Sequence, residues 1–145
     1  LLHVMKKVDV LTINDEEARQ LSGEHSLVKA ARVIHAMGPK FLVIKKGEHG
    51  ALLFHAGELF YAPALPLAEV TDPTGAGDTF AGGFMGWLAK TNDLSMENMR
   101  RAVIYGSAMA SFCVEKFSVE QLLTLNDDMI QQRIQQFANL VHFKM

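Results

Sequence analysis

Residues 71–87 read TDPTGAGDTFAGGFMGW, a cluster of five glycines and two aspartates at the point where an apolar helical pattern begins. Glycine inside a helix costs about 1 kcal/mol relative to alanine. A chain therefore carries such a cluster only where a bare backbone is needed. At a helix N-terminus the first amides have no intrahelical partner, and the macrodipole adds about half a positive charge. Gly75 and Gly77 remove the side chains that would keep an anion from those amides. GAGD at a helix start is thus suited to an anion hole. Gly82, Gly83 and Gly86 lie deeper in the helix, Gly82 and Gly86 on one face. They are expected to let this helix approach its neighbours closely.

Asp78 has two readings. A carboxylate beside a phosphate-binding loop repels the phosphate unless it has a task, and general base toward an attacking hydroxyl is the obvious one. It is equally an ordinary first-turn acid favoured by the helix dipole. The glycine spacing matches neither the Gly-x-x-x-x-Gly-Lys-Ser/Thr phosphate loop nor the dinucleotide pattern Gly-x-Gly-x-x-Gly, because Phe80 stands where the latter needs its third glycine.

The remaining chain supplies an α/β frame. Val8–Ile13 is a short β-branched apolar run, expected as a buried strand. A helix follows, with Asn14 as cap, Glu17 at its third position and Gly23 as its stop. Ser26–Gly38 carries helical spacing, and KFLVIKKG is a second buried strand. GALLFHAGELFYAP reads as a β-hairpin turning at His55-Ala56-Gly57, and Pro63–Val70 as loop or edge. Three helices are expected over Gly77–Lys90, Ser95 to about Lys116 and Asn126 to about Val141. The fold class expected is α/β, a largely parallel sheet flanked by helices, with a β-hairpin.

With 145 residues, 49% of them hydrophobic, the chain is one globular domain or part of a larger one. A net charge of −2 with no basic run gives no footing for a nucleic-acid surface. No apolar stretch approaches the roughly 20 residues of a membrane span. The single cysteine, Cys113, forms no internal disulfide and fits a reducing cytoplasm; its neighbours suggest a buried helix face. The six histidines lack metal-ligand spacing, and Met96, Met99 and Met109 fall on helical faces expected to be core. The opening LLHVMKKVDVLTIN reads as a helix end running into a strand, as in the C-terminal part of a longer protein.

DPTGAGDTFAGGFMGWLA closely resembles the C-terminal signature of the ribokinase-like family, also called the PfkB carbohydrate kinases. NDEE resembles that family's Asn-x-x-Glu motif, VIKKGEHGALLF its strand-Gly-x-x-Gly segment, and YGSAMASFCVE its late helix beside the adenine pocket. The resemblance covers essentially the whole chain, and only the second half of a member. It implies a ribokinase-like fold and ATP-dependent phosphorylation of a sugar or nucleoside hydroxyl. Asp78 would be the catalytic base, and the amides of Gly75, Ala76 and Gly77 the anion hole. Asn14 and Glu17 would organise Mg²⁺, through water, and the ATP phosphates, although the same pair makes an ordinary capping box.

Lys45 and Gly47 would lie along the phosphates and ribose, with only one of Lys45 and Lys46 facing the nucleotide. Ser107 would sit near the adenine, or serve simply as a small packing residue. Asp72 and Thr74 match a monovalent-cation site, for K⁺, found in some members. Asn14, Gly47, Gly75, Gly77 and Asp78 would converge at one end of the sheet. The N-terminal substrate and lid half would be absent, leaving the fragment inactive and with exposed apolar surface that favours a homo-oligomer. The alternatives are a non-catalytic nucleotide-binding regulator with the same fold, and a kinase of a vitamin-precursor alcohol.

Overall fold

The structure, a computed structural model, describes residues 1–70, 73–115 and 122–145. The chain divides into two compact units, Leu1–Ala62 and Pro63–Met145.

In the first unit a short helix α1 (Leu2–Met5) leads to β1 (Val10–Asn14), helices α2 (Asp15–Ser22) and α3 (Leu27–Ala36), and β2 (Phe41–Lys45). A single 3₁₀ turn (Gly47–His49) precedes the hairpin of β3 (Ala51–His55) and β4 (Glu58–Ala62). Strand order follows chain order, with β1 parallel to β2 and the pairs β2–β3 and β3–β4 antiparallel. The parallel part of the expected sheet is therefore the β1–α2–α3–β2 crossover, and the hairpin supplies both antiparallel pairings. Ala56 and Gly57 both take positive φ, 47° and 81°, the two-residue turn whose twist matches that of the flanking strands.

Apolar periodicity decides the packing. Ala18 of α2 and Ala31 and Ile34 of α3 are buried with Leu42, Ile44 and Phe54 of the sheet and Met5 of α1. Small residues on the helices let them lie close to β-branched and aromatic side chains on the strands. Ser26 caps α3 by accepting from the Lys29 amide, and Gly23 ends α2 in the left-handed region.

The second unit is helical among its described residues: α4 (Ala76–Thr91), α5 (Met96–Glu115) and α6 (Asp127–Val141). Phe80, Phe84 and Leu88 recur every fourth residue and form the buried stripe of α4. The corner between α4 and α5 is held by Asn98, 3% exposed. Its side chain accepts from Trp87 Nε1 at 3.0 Å and donates to Thr91 Oγ1 at 2.8 Å and to the Asp93 carbonyl at 2.7 Å. All of its polar atoms are thus matched, which a buried amide requires. Farther along, Arg133 of α6 grips α5: it bonds Glu115 at 2.6 Å and Ser111 Oγ at 2.9 Å, and its guanidinium lies 4.0 Å from the Phe112 ring centroid.

The glycines of α4 divide by what they face. A Cβ on Gly83 would lie 2.9 Å from a Met109 side-chain carbon and 3.2 Å from the Cα of Gly106. A Cβ on Gly106 would meet the Phe80 carbonyl at 2.8 Å. These two glycines let α4 and α5 pack backbone against backbone. Gly82 and Gly86 do not share that role, contrary to the expectation that all three deeper glycines serve close approach. Both are exposed, and a Cβ on either would meet no atom within 4 Å; nothing in the structure explains why glycine stands at these two positions.

Met99 is fully buried, while Met96 and Met109 are half-buried at the edges of the α5 packing. Cys113 is a buried free thiol. Among the described residues no helix is long and apolar enough to cross a membrane, and no group of three metal-binding side chains occurs.

Equilibrium unfolding separates the two glycine classes. Gly106→Ala should destabilise by about 2 kcal/mol through overpacking, whereas Gly82→Ala should stabilise by about 0.5–1 kcal/mol through helix propensity. Equal effects of both substitutions in urea melts would contradict the assignment.

Candidate functional site

Two groups of candidate residues form, one in each unit. The first lies at the carboxyl end of the parallel pair, where open α/β sheets receive ligands. Asn14 ends β1 and stands opposite Lys45 in the β1–β2 register. The Asn14 side chain accepts from the Glu17 amide at 2.7 Å, and the Glu17 carboxylate accepts from the Asn14 amide at 2.8 Å. That is a complete capping box. The box engages Glu17 Oε2, and the residue remains exposed. Gly47 follows two residues after Lys45, in the 3₁₀ turn with φ 56°. The first unit thus brings Asn14, Glu17, Lys45 and Gly47 to one end of its parallel strands.

The second group opens α4. Gly75 is the N-cap residue and lies in the left-handed region at φ 83°, ψ −3°, a conformation that any Cβ would strain. It reverses the chain out of residues 73–74 and into the helix. Ala76 donates its amide to the Pro73 carbonyl at 3.1 Å, and Thr79 donates its amide to the Gly75 carbonyl at 2.9 Å. Between them, the amides of Gly77 and Asp78 have no acceptor among the described residues. Of the three residues expected to form the anion hole, Ala76 therefore spends its amide within the turn. The Asp78 amide, which the sequence reading did not include, is unspent. Which amides a turn closed on the Pro73 carbonyl leaves over is not visible in residue types.

Asp78 is the third residue of α4, and its side chain is exposed. Its carboxylate accordingly sits in the same helical turn as two unspent N–H donors. A negative group in this turn is favoured by the helix dipole, and so is an anionic ligand. Thr74 immediately precedes Gly75, and its carbonyl accepts from the Cys113 thiol at 3.8 Å. Asp72, its companion in the expected monovalent-cation site, lies outside the described residues. Ser107 is half-buried on α5, directly after the Gly106 contact with Phe80.

The sequence profile of the pfkB family of carbohydrate kinases matches residues 1–124. The chain belongs to that family. It is 38% identical over 96 residues to a cytidine kinase of Thermococcus kodakarensis, an alignment covering 65% of this chain and 34% of the relative. A crystal structure of aminoimidazole riboside kinase from Salmonella enterica, complexed with aminoimidazole riboside and an ATP analogue, superposes with a TM-score of 0.77 at 26% identity. That superposition covers 92% of this chain and 44% of the other. Arabidopsis thaliana ribokinase complexed with ribose and ATP gives a TM-score of 0.74 at 26% identity, over 92% of this chain and 41% of that one. The chain spans less than half the length of each of these relatives.

The capping box makes a separable prediction about Asn14 and Glu17. Asn14→Ala removes the acceptor of the Glu17 amide and should lower stability by about 1 kcal/mol. Glu17→Gln keeps a side-chain oxygen for the Asn14 amide and should change the unfolding free energy by less than about 0.5 kcal/mol. Chemical denaturation followed by circular dichroism measures both.

Proposed function

We propose that the protein containing this chain is an ATP-dependent kinase that transfers the γ-phosphoryl group to a hydroxyl of a sugar or nucleoside. One observation carries the reading: an exposed carboxylate, Asp78, shares the first turn of α4 with the unspent amides of Gly77 and Asp78. A base and an anion hole in one turn are what phosphoryl transfer to an alcohol demands. The relatives support the acceptor class, since those compared above are kinases of a nucleoside, of aminoimidazole riboside and of ribose.

In this mechanism Asp78 takes the proton of the acceptor hydroxyl as its oxygen attacks the γ-phosphorus. The bond from the γ-phosphorus to the bridging oxygen breaks, and ADP leaves. The amides of Gly77 and Asp78 donate to the phosphoryl oxygens as negative charge gathers there, and the αL turn at Gly75 keeps a side chain out of their way. Lys45 and Gly47 lie along the phosphates and ribose, and Ser107 contributes to the adenine site.

Mg²⁺ fits the first group by its chemistry. Glu17 is an exposed carboxylate that the capping box engages through Oε2, and a hard cation that keeps its waters is suited to one such ligand. When bound, Mg²⁺ would neutralise charge on the ATP phosphates, with Asn14 and Glu17 holding its water shell. Asp72 and Thr74 are the proposed K⁺ ligands.

The test uses the full-length protein, Mg-ATP and a panel of sugars, nucleosides and vitamin-precursor alcohols, with ADP release as the readout. Asp78→Asn should lower acceptor-dependent turnover by about 10²–10⁴-fold and leave ATP affinity nearly intact. ATP binding without acceptor-dependent turnover across the panel would favour a nucleotide-binding regulator instead. Glu17→Gln, nearly neutral for folding, should raise the KM for Mg-ATP by about tenfold or more.

A further inference from the structure

α5 packs against the start of α4 and against the residues just before it. Gly106 receives the Phe80 carbonyl, two residues past Asp78. Two helical turns later, on the same face, Cys113 reaches the residues that precede the helix. Its Sγ donates to the Thr74 carbonyl at 3.8 Å and lies 3.9 Å from the point a Cβ on Gly75 would occupy. The thiol is 8% exposed, so this is a packing contact inside the second unit.

The turn of α5 that carries Cys113 is itself held from behind. Ser111, Phe112 and Glu115 bracket the cysteine, and Arg133 engages all three. The Arg133 side chain is 10% exposed and that of Glu115 35%. A guanidinium with two bonds and a ring face fixed in this way leaves α5 little freedom to rotate. Contact with residues 74–75 is thus made by a side chain whose own backbone is clamped.

We propose that Cys113 is a positioning residue for the anion-binding turn. Resting on the kinase reading of that turn, the assignment says what sets its geometry. The peptide joining Thr74 to Gly75 has its carbonyl on the Cys113 thiol, and the following residue carries the αL conformation that aims the Gly77 and Asp78 amides outward. Sulfur is a weak donor and a polarizable filler, so volume matters here more than the hydrogen bond. Removing the sulfur takes away the α5 side chain against which this peptide packs. Small displacements of reacting groups are costly in rate even when the protein stays folded.

The test compares Cys113→Ala and Cys113→Ser with wild type in the full-length protein. Four quantities are measured: the unfolding midpoint, kcat, the KM values for ATP and acceptor, and the amide resonances of Gly75, Gly77 and Asp78. Cys113→Ala should lower kcat by roughly tenfold and shift the Gly75 and Gly77 resonances, with the acceptor KM changed by less than about twofold. Cys113→Ser keeps a donor but loses most of the sulfur's volume, so its kcat should lie closer to that of Cys113→Ala than to wild type.

An alanine variant with wild-type kcat and unmoved resonances overturns the proposal, even if its unfolding midpoint falls. Should the alanine variant fail to fold, Cys113→Ser and Cys113→Val decide instead. A kcat that tracks the resonance shifts supports positioning, and a kcat indifferent to them overturns it. If wild type turns over no acceptor, the kinase reading fails. The resonances then decide the seat: moved in Cys113→Ala they support it, unmoved they overturn it.

Discussion

Two helices pack with their backbones in contact only where side chains are missing from both. α4 and α5 meet this condition at Gly83 and Gly106. The rest of the second unit follows from that contact. With the helices so close, Phe80, Phe84 and Leu88 are buried, and the Phe80 ring lies against Gly106. The connection between the helices must then turn within a few residues, and Asn98 matches the polar groups that the turn would otherwise strand. The same closeness places α5 under the first turn of α4, where the amides of Gly77 and Asp78 have no acceptor among the described residues.

The division of labour between the two candidate groups follows general features of each unit. In the first, the carboxyl ends of parallel strands bring together side chains that carry carboxylate, amide and ammonium groups. In the second, a helix start presents backbone, and the principal side chain is Asp78. Backbone donors need no rotamer to be frozen, which makes a helix N-terminus economical for an anion.

Much of this was legible in the sequence, for identifiable reasons. Element positions were readable because caps and stops are local: Asn14 with Glu17, Gly23, Ser26 and Asn126 each mark an end that the structure places within a residue or two. The hairpin was readable from Ala56-Gly57 between alternating strands. Gly75 stood out because a cluster of glycines at a helix start is costly without a purpose, and Asp78 because a carboxylate beside a phosphate-binding loop repels the phosphate unless it has a task. What was not legible depended on tertiary direction. Which deeper glycines of α4 face α5 is a matter of helix phase against a partner, so Gly83 could not be told from Gly82 and Gly86. The use of the Ala76 amide by Pro73 depends on a turn that residue types do not specify. The grip of Arg133 on α5 joins residues too far apart in sequence for any local pattern.

The reciprocal bonds of Asn14 and Glu17 have a consequence beyond helix stability. They form whenever the chain folds, since both partners belong to the junction of β1 and α2. The orientation of the Glu17 carboxylate is therefore settled in the free protein, and the rotamer entropy of a long acidic side chain is lost during folding rather than on encounter with a ligand. A cation or nucleotide arriving there would meet a prearranged group. The tightness of any such binding would thereby be coupled to the integrity of one helix terminus.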